Sequence, residues 1–256
     1  MNLPDLLPSA SVFRLVLASQ SPRRAEILRR LGLKFDVVPA HIDEDAVAAA
    51  SGNPRSTVMR LAFTKASAVA EVLSHSPRAD LEGEEPETLV LAADTIVVLE
   101  GQILNKPADA REAAHMLAAL SGRTHDVMTG LCLRRASKEE VWIHTARTRV
   151  TFLPLAPATI EAYVSTGSPL DKAGAYGIQD HSPSVALVER VEGDYWNVVG
   201  LPVGILQSAL AHFGALPAVA PVAGASGGEL GVGAPGALPH LPVPTFVPFI
   251  QFVPTT

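Results

Sequence analysis

The sequence predicts an α/β protein, a sheet with helices packed against it, and three observations carry that expectation. Apolar runs of strand length recur along the chain and alternate with segments whose apolar residues fall at helical spacing. Turn and cap residues mark the junctions between them. With 256 residues, 48% of them hydrophobic, the chain has enough apolar side chain for a sizeable core.

Residues 13–18 read as a short buried strand, followed by a tight turn, Ser19-Gln20-Ser21-Pro22, into a helix that Gly32 closes. Ser21 suits the N-cap, Pro22 the first helical position where its missing N–H is harmless, and Gly32 the left-handed closing residue. Such a helix start aims free N–H groups and the positive end of the dipole at whatever lies over the loop. Arg23 and Arg24 add two charges there, which makes an anion site; a solvated basic face continued by Arg29 and Arg30 is the plainer alternative. Residues 33–39 read as a second strand running into His41-Ile42-Asp43-Glu44-Asp45. Carboxylates grouped at a strand end suit a hard cation such as Mg²⁺, against the alternative of a solvated acidic turn. Residues 57–73 form a helix by the spacing of Val58, Leu61, Ala62, Ala66 and Val69, and it carries Lys65, a residue type more often solvated than functional. Residues 74–87, rich in Pro, Gly and Glu, read as an exposed loop.

Residues 89–107 look like a buried strand interrupted by one carboxylate, Asp94, with Glu100-Gly101 supplying a hairpin turn before Lys106. Burying an ionised carboxylate costs several kcal/mol unless a cation, a metal or hydrogen bonds compensate it, so something positive is expected at Asp94. The alternative is a strand that ends early, with Asp94 capping a turn. Residues 109–120 are an amphipathic helix ended by Ser121-Gly122, and residues 127–133 and 141–152 are consecutive strands joined by a charged turn. A short helix over residues 157–165 precedes Asp171-Lys172-Ala173-Gly174-Ala175-Tyr176-Gly177-Ile178-Gln179, which fits neither periodic template. Two glycines flanking an aromatic, after a paired acid and base, suggest backbone approaching a ligand, with a purely structural loop as the alternative. Residues 185–191 read as a strand, Gly193-Asp194 as a turn, and residues 197–202 lead into a last helix ending near Phe213.

Composition narrows the function classes. A net charge of −6 argues against coating a polyanion such as DNA, so basic residues must be concentrated locally if the ligand is anionic. The single cysteine, Cys132, lies in an apolar run, which leaves no disulfide framework or cysteine metal site and fits a reducing compartment. Asp5 precedes the apolar part of the opening segment, Arg14 interrupts it and no basic leader comes first, so no signal peptide is expected. No run reaches the roughly 18 apolar residues of a membrane span. Cytoplasmic residence follows as the expectation. The chain divides into an N-terminal extension over residues 1–12, a domain over residues 13–213, and a tail over residues 214–256 in which Glu229 is the only charged side chain. That Ala/Pro/Gly-rich tail is predicted to be disordered, though residues 246–253 are apolar enough to dock on a surface.

Four separated motifs stand in order: Ser21-Pro22-Arg23-Arg24; Ala93-Asp94-Thr95 with Lys106-Pro107 downstream; Ser121-Gly122 with His125; and residues 171–179 followed by residues 197–202. In this the chain resembles the Maf family of nucleoside triphosphate pyrophosphatases, once described as septum-formation inhibitors, from about Phe13 to Phe213. The form of the residue 171–179 motif looks like the subfamily acting on dTTP and UTP, as opposed to the branch preferring 7-methyl-GTP. The resemblance implies a mixed twisted sheet flanked by helices, like that of inosine triphosphate pyrophosphatases, with a nucleotide cleft beside it. It also implies hydrolysis of a nucleoside triphosphate to the monophosphate and pyrophosphate with a divalent cation, Mg²⁺ or Mn²⁺, by a homodimer. The family's proton acceptor falls on Asp94, and positions tied to substrate choice fall on Arg23, Thr95 and Gln179. Further active-site positions fall on Ser21, Arg24, Glu44, Lys65 and Lys106. The chain departs from the pattern after Gln179, where Asp180-His181-Ser182-Pro183 replaces a glycine-led stretch.

The residues agree with that chemistry. Cleaving a phosphoanhydride needs charge neutralisation along the triphosphate, an oriented water and a base. Arg23, Arg24, Lys65 and Lys106 can hold phosphate oxygens, with the helix start at Ser21 adding backbone donors. Glu44 and Asp94 can hold the metal, and Asp94 can also accept the water's proton. Gln179 can present an amide to a pyrimidine edge. One rival is a non-hydrolysing nucleotide binder that regulates division through a partner, which has no need of a costly buried carboxylate. Another is a phosphatase or kinase of a different fold, disfavoured because no Gly-rich Walker-type loop is present.

Overall fold

The computed structural model describes residues 13–75, 86–180, 186–215 and 241–242, and residues 251–253 as backbone. An eight-stranded sheet runs through them, with a path β2-β1-β3-β5-β6-β7-β8 and β4 paired to β3. Strands β1 (Phe13–Leu17) and β2 (Asp36–Val37) are parallel to each other, and β1 is parallel to β3 (Glu87–Leu99). From β3 onward the ladder is antiparallel through β5 (Thr124–Arg135), β6 (Val141–Phe152) and β7 (Val188–Glu192). The sheet is therefore mixed, as expected. Predicted strand 33–39 shrinks to two paired residues, since Pro39 has no N–H with which to extend the ladder.

Helices cover both faces. On one, α3 (Pro54–His75) sets Ala62, Ala66, Val69 and Ala70 against Val16, Val90, Ala92 and Cys132. On the other, α1 (Pro22–Arg30), α4 (Ala110–Leu120), α5 (Pro157–Ser165) and α7 (Val203–His212) bury Ile27, Leu117, Ile160 and Leu206 against Leu17, Leu91 and Leu131. A one-residue alternation along β3 sends Leu91 and Ala93 to one core and Val90 and Ala92 to the other. That is why the strand reads as continuously apolar. Two short helices were not foreseen: α2 (Glu44–Ala49), capped by Asp43, and α6 (Tyr195–Val199), capped by Asp194.

One close approach sets the distance between α3 and the sheet. A Cβ at Gly130 would fall under 3.0 Å from the Val58 carbonyl, so the bare backbone of β5 lets α3 lie directly on it. Gly130 is also the cross-strand partner of Asp94.

Glu100 and Gly101 both take positive φ, 49° and 82°, and turn β3 into the short β4 (Gln102–Leu104) as the sequence predicts. On the edge of β3 facing β1, pairing stops at Leu91 and resumes with β4 at Val97. Among the described residues, 92–96 thus present a strand edge with no ladder partner on that side. The chain leaves β1 there, at Ser19, and α1 begins beside it.

Much of the exposed loop expected at residues 74–87, and residues 181–183 of the departure after Gln179, lie outside the described residues, as does most of the predicted tail. Within that tail, Gln251–Val253 forms β8, parallel to β7. The Leu241 carbonyl accepts a hydrogen bond of 3.1 Å from Trp196 Nε1.

Candidate active site

Asp94 sits in mid-strand, in the unpaired window of β3, and does not cap a turn. The cation it requires is Lys65, whose Nζ lies 2.6 Å from Asp94 Oδ1 and 2.8 Å from Glu44 Oε1. The Lys65 and Asp94 side chains are only 11% and 10% exposed, so this lysine is not the solvated residue that its type suggests. Helical spacing puts Lys65 on the same side of α3 as Val58, Ala62 and Ala66, aimed at the sheet. Glu44 opens α2, and its carboxylate reaches Lys65 from the solvent side, 55% exposed. Burial raises its pKa, but the Lys65 hydrogen bond and the charges of Lys65, Lys106 and Arg24 outweigh burial and hold the carboxyl below its ordinary range.

The acidic cluster resolves into separate roles. Asp43 is spent as the α2 N-cap, accepting 2.9 Å from the Ala46 N–H, and Asp45 lies in the first turn where the dipole favours it. Only Glu44 enters the site. Among the described residues, no group of three or more His, Cys, Asp or Glu is arranged to hold a metal ion. Two carboxylates on one ammonium at an open strand edge do fit a hard divalent cation that completes its shell with water or ligand oxygens.

Across β3, the α1 start is built as the sequence predicts. Ser21 Oγ accepts from the Arg24 N–H at 3.4 Å, Pro22 begins the helix, and Gly32 closes it at φ 71°. Arg24 is half-buried, and its guanidinium donates to the Gly200 carbonyl at 2.9 Å, Ser19 Oγ at 3.1 Å and Thr95 Oγ1 at 3.2 Å. Burial pulls its pKa below the ordinary value, against the raising effect of the Asp94 charge. With three of its five N–H groups engaged, Arg24 orients the surrounding backbone as much as it offers positive charge to a ligand. Thr95 Oγ1 continues to Thr129 Oγ1 at 2.9 Å, and Thr129 donates to the Asn197 carbonyl at 3.2 Å. Ser19, Thr129 and the Gly200 carbonyl were not singled out from sequence. The available signal was Thr129 beside Gly130 in the middle of an apolar run.

Arg23 points the other way, donating to Asp171 Oδ2 at 3.1 Å, and so ties α1 to the segment carrying Gln179. In that segment Gly174 and Ala175 both take left-handed backbone, φ 68° and 61°, a conformation that costs a non-glycine residue about 1 kcal/mol. The Gly174 N–H bonds the Asn105 carbonyl at 3.1 Å, next to the exposed Lys106. Gln179 is exposed at the end of this segment. The structure therefore brings Asp94 and Glu44 into contact with Lys65, and Ser21, Arg24 and Thr95 into a second group beside the same strand. Gln179 is joined to them only through the loop. His125 stays out of the site, packed edge-on against Phe152 with Nε2 2.8 Å from Tyr176 Oη.

Comparison with known proteins gives a consistent set of similarities. The family model described as Maf-like protein matches residues 14–213. The dTTP/UTP pyrophosphatase of Moorella thermoacetica is 50% identical over 201 residues, 78% of this chain and 95% of that protein. Those of Anaeromyxobacter sp. (strain Fw109-5) and Symbiobacterium thermophilum are 48% and 47% identical, covering 84% and 78% of this chain and 98% and 94% of their own lengths.

Proposed function

The chain belongs to the Maf-like family, and from that premise we propose that it is a nucleoside triphosphate pyrophosphatase that hydrolyses dTTP and UTP to the monophosphate and pyrophosphate. The observation that carries the chemistry is the contact of Asp94 and Glu44 with Lys65, at an unpaired strand edge facing the basic start of α1.

In this reading the triphosphate lies over the edge of residues 92–96. Lys65 has one N–H left after its two carboxylates and offers it, with Arg23 and Lys106, to phosphate oxygens. The free N–H groups at the start of α1 add to that field. Asp94 takes the proton of the attacking water as the new oxygen–phosphorus bond forms and pyrophosphate leaves. Glu44 and Asp94 would hold a divalent cation, Mg²⁺ or Mn²⁺, which supplies positive charge against the triphosphate when bound. Thr95, buttressed by Arg24 and Thr129, and Gln179 face the nucleoside part. Gln179 carries both a donor and an acceptor for the carbonyl and N3–H edge of a uracil or thymine. A homodimer and a cytoplasmic location complete the reading; among the described residues no helix is long and apolar enough to cross a membrane.

The test is incubation with dTTP, UTP, CTP, ATP, GTP and 7-methyl-GTP in the presence of Mg²⁺, scoring pyrophosphate against orthophosphate. Pyrophosphate from dTTP and UTP is expected, with a preference over the other bases of roughly ten- to a hundredfold in kcat/KM. Orthophosphate release or no turnover would refute hydrolysis of this type. Preference for a guanine nucleotide would refute the pyrimidine assignment alone.

A further inference from the structure

Resting on that reading, we propose that Asp180 is a positioning residue for substrate choice, a latch that fixes the Gln179 turn and couples it to Arg23. Asp180 directly follows Gln179 and is embedded in a polar network. Its Oδ2 accepts from Tyr163 Oη at 2.7 Å and Ser168 Oγ at 2.6 Å, and lies 3.3 Å from Lys172 Nζ. The Asp180 N–H closes a turn onto the Gly177 carbonyl at 3.0 Å, which leaves Ile178 and Gln179 as the two central residues. The other end of the turn is held by the same phenol, because the Gly177 N–H donates to Tyr163 Oη at 3.0 Å. Tyr163 is buried in α5, so both ends of the turn hang on a fixed point of the core.

Lys172 carries the coupling onward. Its Nζ donates to Asp171 Oδ1 at 2.7 Å and to the Ser168 carbonyl at 2.6 Å, and Asp171 Oδ2 accepts from Arg23 Nη1. An unbroken chain of polar contacts thus runs from the Gln179 turn through Asp180, Lys172 and Asp171 to Arg23. One end is the side chain proposed to read the base, and the other is the arginine proposed to hold phosphate oxygens. The space for the central contact exists because position 177 has no side chain. A Cβ there would stand 2.7 Å from Lys172 Cε and 2.8 Å from Asp180 Oδ2. The Lys172 and Asp180 side chains, 10% and 24% exposed, are its sheltered part, where each charge orients the next donor, while Asp171 meets Arg23 at the surface. An exposed glutamine gains readout only if its backbone is held before the base arrives.

The experiment compares wild type with Asp180→Ala, Asp180→Asn, Tyr163→Phe, Gln179→Ala and the Asp180→Ala/Gln179→Ala double variant. kcat/KM is measured for dTTP and CTP by pyrophosphate release, and calorimetric Kd for dTMP and CMP. Asp180→Ala and Tyr163→Phe should each cut the thymine-to-cytosine ratio about five- to tenfold, mainly through KM for dTTP, with Asp180→Asn intermediate. The double variant should be no worse than Gln179→Ala, because Asp180 acts through Gln179. A lowered Tm with an unchanged ratio, additive single effects, or a wild type that does not discriminate the two bases would overturn the proposal. If the wild type releases no pyrophosphate, the hydrolytic reading falls while the monophosphate Kd values still decide the role of Asp180. Binding of neither monophosphate would sink both.

Discussion

Lys65 and Asp94 illustrate how a pair can matter to folding and to chemistry for different reasons. Breaking a buried pair by removing one partner leaves an uncompensated charge, whereas replacing both with apolar groups is near neutral. Lys65→Met alone is therefore expected to lose about 3 to 5 kcal/mol of stability, and Lys65→Met/Asp94→Leu to recover most of it while staying inactive. Thermal melts read against pyrophosphate release separate the two roles; an active double variant would remove Asp94 from the mechanism. Asp94→Asn, which keeps the shape, should fold and lose about 10²- to 10⁴-fold in turnover. At a second position, burial pushes the His125 imidazole from 6.5 down to about 3. Between those values the unfolded chain binds a proton that the folded chain refuses, so stability falls as pH drops through that window. The slope is at most about 1.4 kcal/mol per pH unit. The carboxylates held low, Glu44 and Asp171, contribute only further down, because stability from a depressed carboxyl is present above its ordinary value, 4.5 or 3.8, and lost below it. Asp194, whose carboxyl burial raises above 3.8, has the opposite sign and gains stability as pH falls, so the loss between pH 6.5 and 5 is assigned by comparing wild type with His125→Gln, which should flatten that limb.

At the scale of elements, the seating of α3 on β5 decides whether the site forms. Gly130→Ala forces a methyl group into the Val58 carbonyl, which cannot move without lifting the helix that carries Lys65. A loss of about 1 to 3 kcal/mol from overpacking is expected, together with reduced turnover per folded molecule. Gly52→Ala, with nothing within 4 Å of the added Cβ, is the control and should change neither. If Gly130→Ala lowers Tm but leaves turnover intact, the helix position is not what holds Lys65 on Asp94. The site draws on the loop leaving β1, α1, α2, α3, β3 and the segment after α5, so no single strand-loop-helix unit contains it.

For the whole molecule, the end of the chain returns to the sheet. β8 covers the edge of β7, and the Leu241 carbonyl meets Trp196 in α6, whose C-terminal Gly200 carbonyl receives Arg24. A chain ending at residue 215 keeps every proposed catalytic group, so turnover should persist. Tm should fall by roughly 2 to 4 °C for each kcal/mol of edge pairing lost, and the bared β7 edge should favour self-association. Scanning calorimetry and light scattering on the truncated chain test both. Loss of activity in a soluble, folded truncation would instead place the tail in the site.

The element order apart from α2 and α6, the Ser21 cap, the Glu100-Gly101 turn, the demand of Asp94 for a positive partner and the family resemblance were readable from the sequence. Each depends on near neighbours, on backbone conformation or on the cost of burying one charge. What the tertiary structure decided is which groups meet. Lys65, 29 residues before Asp94, is its partner because α3 crosses the sheet at Gly130. Asp43, next to Glu44, is used up as a helix cap. Arg24 is wired to Ser19, Thr95 and Gly200, while the adjacent Arg23 turns to Asp171. Local patterning specifies where a helix or strand runs, but a charge between packed layers finds its partner through the spacing and crossing of those layers, which a single element does not encode.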